Sequence, residues 1–132
     1  MGYATFFKLR CVVAKNLDSD FYNHYRTMFD DFCSSESRKQ WDNEAERIIT
    51  RNGLNKCHWK SNIVDFLFLP DCGGKINAYT CLKIFDLIKN EPDNTRFGYL
   101  GQVGNKKFYY TMKDFKNLLR DVYINKGKVV WG

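Results

Sequence analysis

Proline is nearly absent: Pro70 and Pro92 are the only two in the 132-residue chain. Its elements must therefore be punctuated mainly by glycine and by Asn/Asp/Ser clusters. No apolar run reaches the roughly 20 residues that a membrane-spanning helix needs. The first ten residues, M-G-Y-A-T-F-F-K-L-R, alternate rather than form a charged region followed by an apolar one, so no secretory signal is expected. Phe6 stands where a myristoylation pattern requires Ser or Thr. Cysteine is present but unpatterned, at positions 11, 33, 57, 72 and 81, an odd number with no two of them two to four residues apart. That spacing argues against a disulfide framework and against structural zinc, and the expected setting is reducing and cytoplasmic. Histidine is limited to His24 and His58.

Apolar residues are plentiful, at 44%, and aromatics reach 17%, enough for a core without covalent staples. The length predicts one domain over residues 1–132. Charge is unevenly placed. Residues 1–95 hold 13 Lys and Arg against 13 Asp and Glu, whereas residues 96–132 hold 8 against 2 and carry the whole net charge of +6. A neutral body is joined to a basic C-terminal quarter.

Tyr3 to Val13 alternates, with Phe7, Leu9, Cys11 and Val13 on one face, and predicts a strand. Asp18-Ser19-Asp20 offers N-caps for a helix over Asp20–Cys33, with Phe21, Tyr25, Met28, Phe29 and Phe32 at helical spacing. A second helix over Glu36–Arg51, with Trp41, Ala45, Ile48 and Ile49 inward, ends at Asn52-Gly53. The stretch Trp59–Lys89 is the most apolar and most patterned. It reads as a short buried helix over Asn62–Leu69, a Gly73-Gly74 reversal, and an amphipathic helix capped by Asn77 with Cys81, Leu82, Ile84, Phe85 and Ile88 inward. Phe97–Val103 and Lys106–Tyr110 flank Gly104-Asn105, a hairpin signal. Thr111 and Asp114 resemble a capping box for a last helix to Lys126, with Phe115, Leu118, Leu119 and Val122 buried, and Val129–Trp131 reads as a terminal strand. The order β-α-α-α-α-β-β-α-β predicts an α+β domain, about five helices on a small, mainly antiparallel sheet.

The turn Asp71-Cys72-Gly73-Gly74-Lys75-Ile76 has the outline of a calcium loop. With Gly74 at its sixth position, position 1 is Leu69 and position 12 is Thr80, so Asp71 is the one carboxylate left and the ligand count fails. The same turn resembles a segment in a loose group of small uncharacterised bacterial and phage proteins. There an Asp-Cys-Asp-Gly turn precedes a hydrophobic residue and a Cys-bearing helix, and a later Phe-x-x-Leu-Leu helix leads to an Asn-containing turn and an aromatic end. The matching residues are Asp71, Cys72, Gly74, Ile76 and Cys81, then Phe115, Leu118, Leu119, Asn125 and Trp131; Gly73 replaces the second Asp. The resemblance spans about the last half of the chain. It implies a helix pair and a phage-like origin, and carries no activity with it.

Cys57, His58, Cys72 and Cys81 lie in one region, but ordinary buried thiols account for them better than zinc does. A Cys–His nucleophile drawn from Cys57, Cys72 or Cys81 with His24 or His58 lacks any local mark of an activated thiolate. Asp30-Asp31 ends a solvated helix and makes no acid–base pair with anything nearby in sequence. Gly98, Gly101 and Gly104 recur every third residue but pass into a hairpin, not a helix N-terminus, so strand twist and the turn explain them better than phosphate cradling. The strongest surface clue is a basic face interleaved with tyrosines: Lys106, Lys107, Tyr109, Tyr110, Lys113, Lys116, Arg120 and Tyr123. Such a face suits phosphate contacts with base stacking, or an acidic protein patch, while ordinary solvated lysines are the plain alternative.

The expectation is a small non-catalytic binding protein of phage or mobile-element type, without cofactor or metal. It would dock on a host protein or ribonucleoprotein and not on a membrane, with inhibition of a host defence system (an anti-CRISPR, for example) as the leading form. Nucleic-acid or nucleotide binding through the basic face is the first alternative, and an enzyme with an unrecognised Cys/His site the second.

Overall fold

The structure, a computed structural model, describes residues 3–20, 43, 46–54, 61–68 and 73–131. In chain order these form α1 (Tyr3–Leu17), α2 (46–51), α3 (Ile63–Phe68), β1 (Gly74–Asn77), α4 (Ala78–Ile88), β2 (Arg96–Val103), β3 (Lys106–Thr111), α5 (Met112–Ile124) and β4 (Lys128–Trp131). The class is α+β, with two small antiparallel sheets, β1–β4 and β2–β3. The predicted helix over Asp20–Cys33 falls almost wholly outside the described residues. So do the start of the Glu36–Arg51 helix, Asp30-Asp31, Asp71, both histidines, and Cys33, Cys57 and Cys72.

The first element corrects the sequence reading: Tyr3–Leu17 is a helix, not a strand. Phe6, Leu9, Arg10, Val13 and Ala14 are buried, a spacing of three and four that is one face of a helix. Phe7 and Cys11, which alternation placed inward, are only half-buried. Arg10 explains the misreading, because a cation sits on the apolar stripe. Its Nε donates to the Phe66 carbonyl at 2.6 Å, and its guanidinium lies 4.3 Å from the centre of the Phe6 ring. Phe66 is in the last turn of α3, where carbonyls lack intrahelical partners, so α1 supplies a donor that α3 needs.

Asp18 ends α1 and caps the next helical residues, accepting from the Asp20 amide at 2.9 Å. At the far end of α2, Gly53 adopts φ +66, its amide donates to Thr50 and the Leu54 amide donates to Ile49, the paired bonds of a Schellman cap. In α3, Asn62 and Asp65 cap each other reciprocally, and Ile63, Val64, Phe66 and Leu67 are buried.

The reversal before α4 contains an element that the sequence reading lacked. Gly74–Asn77 is a strand paired with the C-terminal one, Gly74 opposite Trp131 and Asn77 opposite Lys128. Neither Gly73 nor Gly74 uses positive φ, and the predicted reversal ahead of them, residues 69–72, lies outside the described residues. Gly74 is needed for space: a Cβ there would run into the Trp131 indole. Trp131 in turn lies tilted against Phe6 (5.2 Å) and edge to face with Phe66 (6.1 Å), and Phe66 stacks 6.1 Å from Phe115. This aromatic cluster ties α1, α3, α5 and β4 together.

Helices α4 and α5 follow the sequence closely. Asn77 accepts from the Thr80 amide, and Thr111 and Asp114 form a full capping box. Cys81, Ile84 and Ile88 of α4 and Met112, Phe115 and Leu119 of α5 are buried, each large side chain contributing about 2 kcal/mol relative to exposure. Leu82, Phe85, Leu118 and Val122 are half-buried. The last helix stops two residues short of Lys126, which itself takes φ +52, while the Gly127 amide donates to Val122.

Candidate functional site

The β2–β3 hairpin is the part of the basic quarter whose geometry is least like an ordinary surface. Gly104 takes φ +58 at the two-residue turn, the first-position glycine that a type II′ turn requires. Below the turn, β2 is longer than its partner. Arg96 pairs with Thr111 but Gly98 with Tyr110, and Tyr99 pairs with Tyr109 but Gly101 with Phe108. Each step spends an extra residue, Phe97 and then Leu100, as a bulge.

The two bulges reset which side chains share a face. In a regular strand Arg96, Tyr99 and Gln102 would alternate across the sheet. Here each lies opposite an outward residue of β3, Thr111, Tyr109 and Lys107 respectively, so all six share the outer face. The side-chain contacts agree. The Arg96 guanidinium lies 4.3 Å from the centre of the Tyr109 ring, and Tyr99 and Tyr109 meet edge to face at 5.7 Å. Gly98 and Gly101 fall on the inner face, where a Cβ on Gly98 would run into the Thr5 side chain of α1. The recurrence of glycine every third residue thus follows the two bulges: Gly98 and Gly101 share a face, Gly98 makes room for α1, Gly101 meets open space, and Gly104 serves the turn.

The eight residues singled out from the sequence do not form one surface. Lys107 and Tyr109 belong to the outer face just described. Lys106, the neighbouring residue of β3, falls on the opposite face, its ammonium 5.3 Å from the centre of the Phe108 ring. Tyr110 points inward from β3, packs against the core, and has a buried hydroxyl without a hydrogen bond among the described residues. Burial, with a smaller effect of Asp114, pushes its phenol up to about 12. Lys113, Arg120 and Tyr123 are exposed on α5, Arg120 donating to Asn117 at 3.2 Å.

Lys116 corrects the sequence reading most sharply, since it is not a surface cation available to a partner. Its side chain is only 12% exposed. The ammonium donates to the Lys89 carbonyl at 3.1 Å, the Glu91 carbonyl at 2.5 Å and Asp93 Oδ1 at 2.7 Å. Lys89 is the C-cap of α4, so this lysine closes the negative end of a neighbouring helix. The same contact holds the Asp93 carboxyl below the usual carboxylate range.

Sequence reasoning missed Arg96 and Tyr99. Tyr99 is 59% exposed, and its one ring contact among the described residues is Tyr109. The signal that could have found them was the glycine repeat itself, which fixes a three-residue period on β2. Leu100 and Val103 of the same strand are also exposed.

Elsewhere the described residues offer no chemistry of comparable definition. Burial pushes the Cys11 and Cys81 thiols up to about 11, which keeps both protonated and unreactive near neutral pH. Among the described residues no three His, Cys, Asp or Glu gather as metal ligands, and no helix is long and apolar enough to cross a membrane. No protein-family model, curated protein or solved structure matches the chain.

Proposed function

We propose that the chain is a non-catalytic binding protein that docks on an anionic macromolecule through the outer face of its β2–β3 hairpin. The observation that carries this reading is the row formed by Arg96, the Tyr99–Tyr109 pair and Lys107 on one exposed sheet face. Neither strand nor the turn between them contains a carboxylate. Exposed Tyr and Arg side chains dominate binding energies in interfaces, and the net positive charge of the hairpin favours a negative partner. The finer form, a phage-type inhibitor of a host defence system acting in the host cytoplasm, rests on the resemblance alone.

The test is gentle purification from host cells at low salt, followed by native mass spectrometry and an ultraviolet spectrum. The wild-type protein should carry a macromolecular partner that salt releases. The Y99A/K107E variant, with an unchanged melting temperature, should emerge bare. A variant that retains the partner as well as wild type does would remove the hairpin from the reading.

A further inference from the structure

The geometry points to single-stranded nucleic acid as the hairpin's ligand, with a base stacked on Tyr99 and the flanking phosphates held by Arg96 and Lys107. This rests on the docking reading above and names the partner's chemistry. From root to tip the outer face runs Arg96 opposite Thr111, Tyr99 opposite Tyr109, then Gln102 opposite Lys107. The backbone positions that carry cation, ring and cation follow one another at steps of about 7 Å, twice the rise per residue of an extended strand, and the Arg96 guanidinium folds back over the Tyr109 ring.

That sequence of groups separates nucleic acid from an acidic protein patch. An aromatic face carries negative quadrupole density, so a carboxylate brought over Tyr99 gains nothing from the ring and is repelled by it. A nucleobase brings a π-face of its own, and its stacking on an exposed aromatic contributes about 1–3 kcal/mol per base. Tyr109 is already covered by Arg96, at 4.3 Å, which leaves Tyr99 as the open platform of the pair. Duplex DNA or RNA fits poorly, because its base faces are already stacked within the helix. Gln102 uses one amide hydrogen on the Gly104 carbonyl, at 2.8 Å, which turns it toward the tip of the hairpin. Stacking, which every base can supply, makes the expected binding tolerant of base identity.

The experiment uses the full chain and a fluorescein-labelled 12-nucleotide oligo(dT), read by anisotropy across a salt series, with poly-glutamate as competitor and a 12-base-pair duplex as comparison. Y99A should weaken oligo(dT) binding by about 5- to 150-fold, the range of one lost stack, whereas Y99F should retain it. Each of R96Q and K107Q should reduce the log–log salt slope by about 0.7, the value for one single-strand phosphate contact. Poly-glutamate at equal charge should not displace the oligonucleotide, and the duplex should bind more weakly and without sensitivity to Y99A. Circular dichroism melts of each variant report folding separately.

Unchanged binding in a folded Y99A variant would overturn the inference. So would displacement by poly-glutamate at equal charge, which would instead make an acidic protein the partner and leave the docking reading standing. If neither polyanion binds while Y99A/K107E still strips the partner during purification, the nucleic-acid inference falls alone. If neither polyanion binds and that variant keeps its partner, both fall.

Discussion

At the scale of single residues, one tight constraint is the contact of Gly74 with Trp131 across the β1–β4 pair. Its backbone angles are open to any residue, so what excludes a side chain is the indole standing over it, not conformation. Gly74→Ala should destabilise the fold by about 2 kcal/mol, the range for forcing extra volume into a packed site. Gly73→Ala is the internal control, because a Cβ there meets nothing within 4 Å and its φ is not positive. It should stay within about 0.5 kcal/mol of wild type, or gain slightly from a stiffer unfolded chain. Urea melts of the two variants check this, and equal losses would show that the pair serves a turn after all. The same contact bears on the residues that carry the phage-protein resemblance. Gly74, Ile76, Phe115, Leu119 and Trp131 are brought into one packed region by the β1–β4 pairing and the core. As placed here, those positions serve packing.

At the scale of elements, side chains from a distance repeatedly close helix ends. Arg10 of α1 donates to a last-turn carbonyl of α3, and Lys116 of α5 donates to the carbonyls just past α4. Replacing Lys116 with Met keeps most of the volume but strands those carbonyls, and stability should fall by about 2 kcal/mol. An exposed cation would cost within about 0.5 kcal/mol, as K113M should. Parallel chemical melts of K116M and K113M decide between the two roles, and equal stabilities would return Lys116 to the surface. These ties also mark where the sequence stops being legible. The capping residues of α4 and α5 are local, within three positions of what they bind, and Asn77, Thr111 and Asp114 were readable for that reason. Arg10 meets a carbonyl 56 residues away. Without that partner a cation at position 10 argues against a buried helical stripe, and the run Phe6 to Val13 satisfies a two-residue period nearly as well as a helical one. Strand β1 was hidden in the same way, since its partner β4 begins at Lys128. On the hairpin, strands and turn were visible, but face assignment assumed regular alternation. The bulges at Phe97 and Leu100 moved Arg96 into the candidate site, and the pairing turned Tyr110 away from it.

At the scale of the molecule, the end of α2 is fastened to the end of α1 by an acid-sensitive cluster centred on Asp18. Asn52 donates to Asp18 Oδ2 at 2.7 Å, the Asp20 amide donates to Oδ1, and Arg51 meets both oxygens at 2.8–2.9 Å while also reaching Asp20. The Asn52 bond is the largest cause holding the Asp18 carboxyl below its ordinary value of 3.8, with the Asp20 amide and Arg51 adding to it. A carboxyl with a depressed folded pKa binds protons less readily than it does in the unfolded chain. The stability it contributes is therefore fully present above about pH 4 and disappears as pH falls through the folded value. Asp18→Asn keeps the shape and removes the ionisation. At pH 7 the variant should melt below wild type, because the Asn side chain offers one acceptor oxygen where the carboxylate offered two. As pH drops below 3.8 the gap should close, since wild type loses its advantage and the variant has none to lose. Thermal melts of both proteins at half-unit steps from pH 2 to pH 7 test this directly. A gap that stays constant with pH would mean that the ends of α1 and α2 are joined by packing of Leu17, Ile48 and their neighbours, with the charge cluster a bystander.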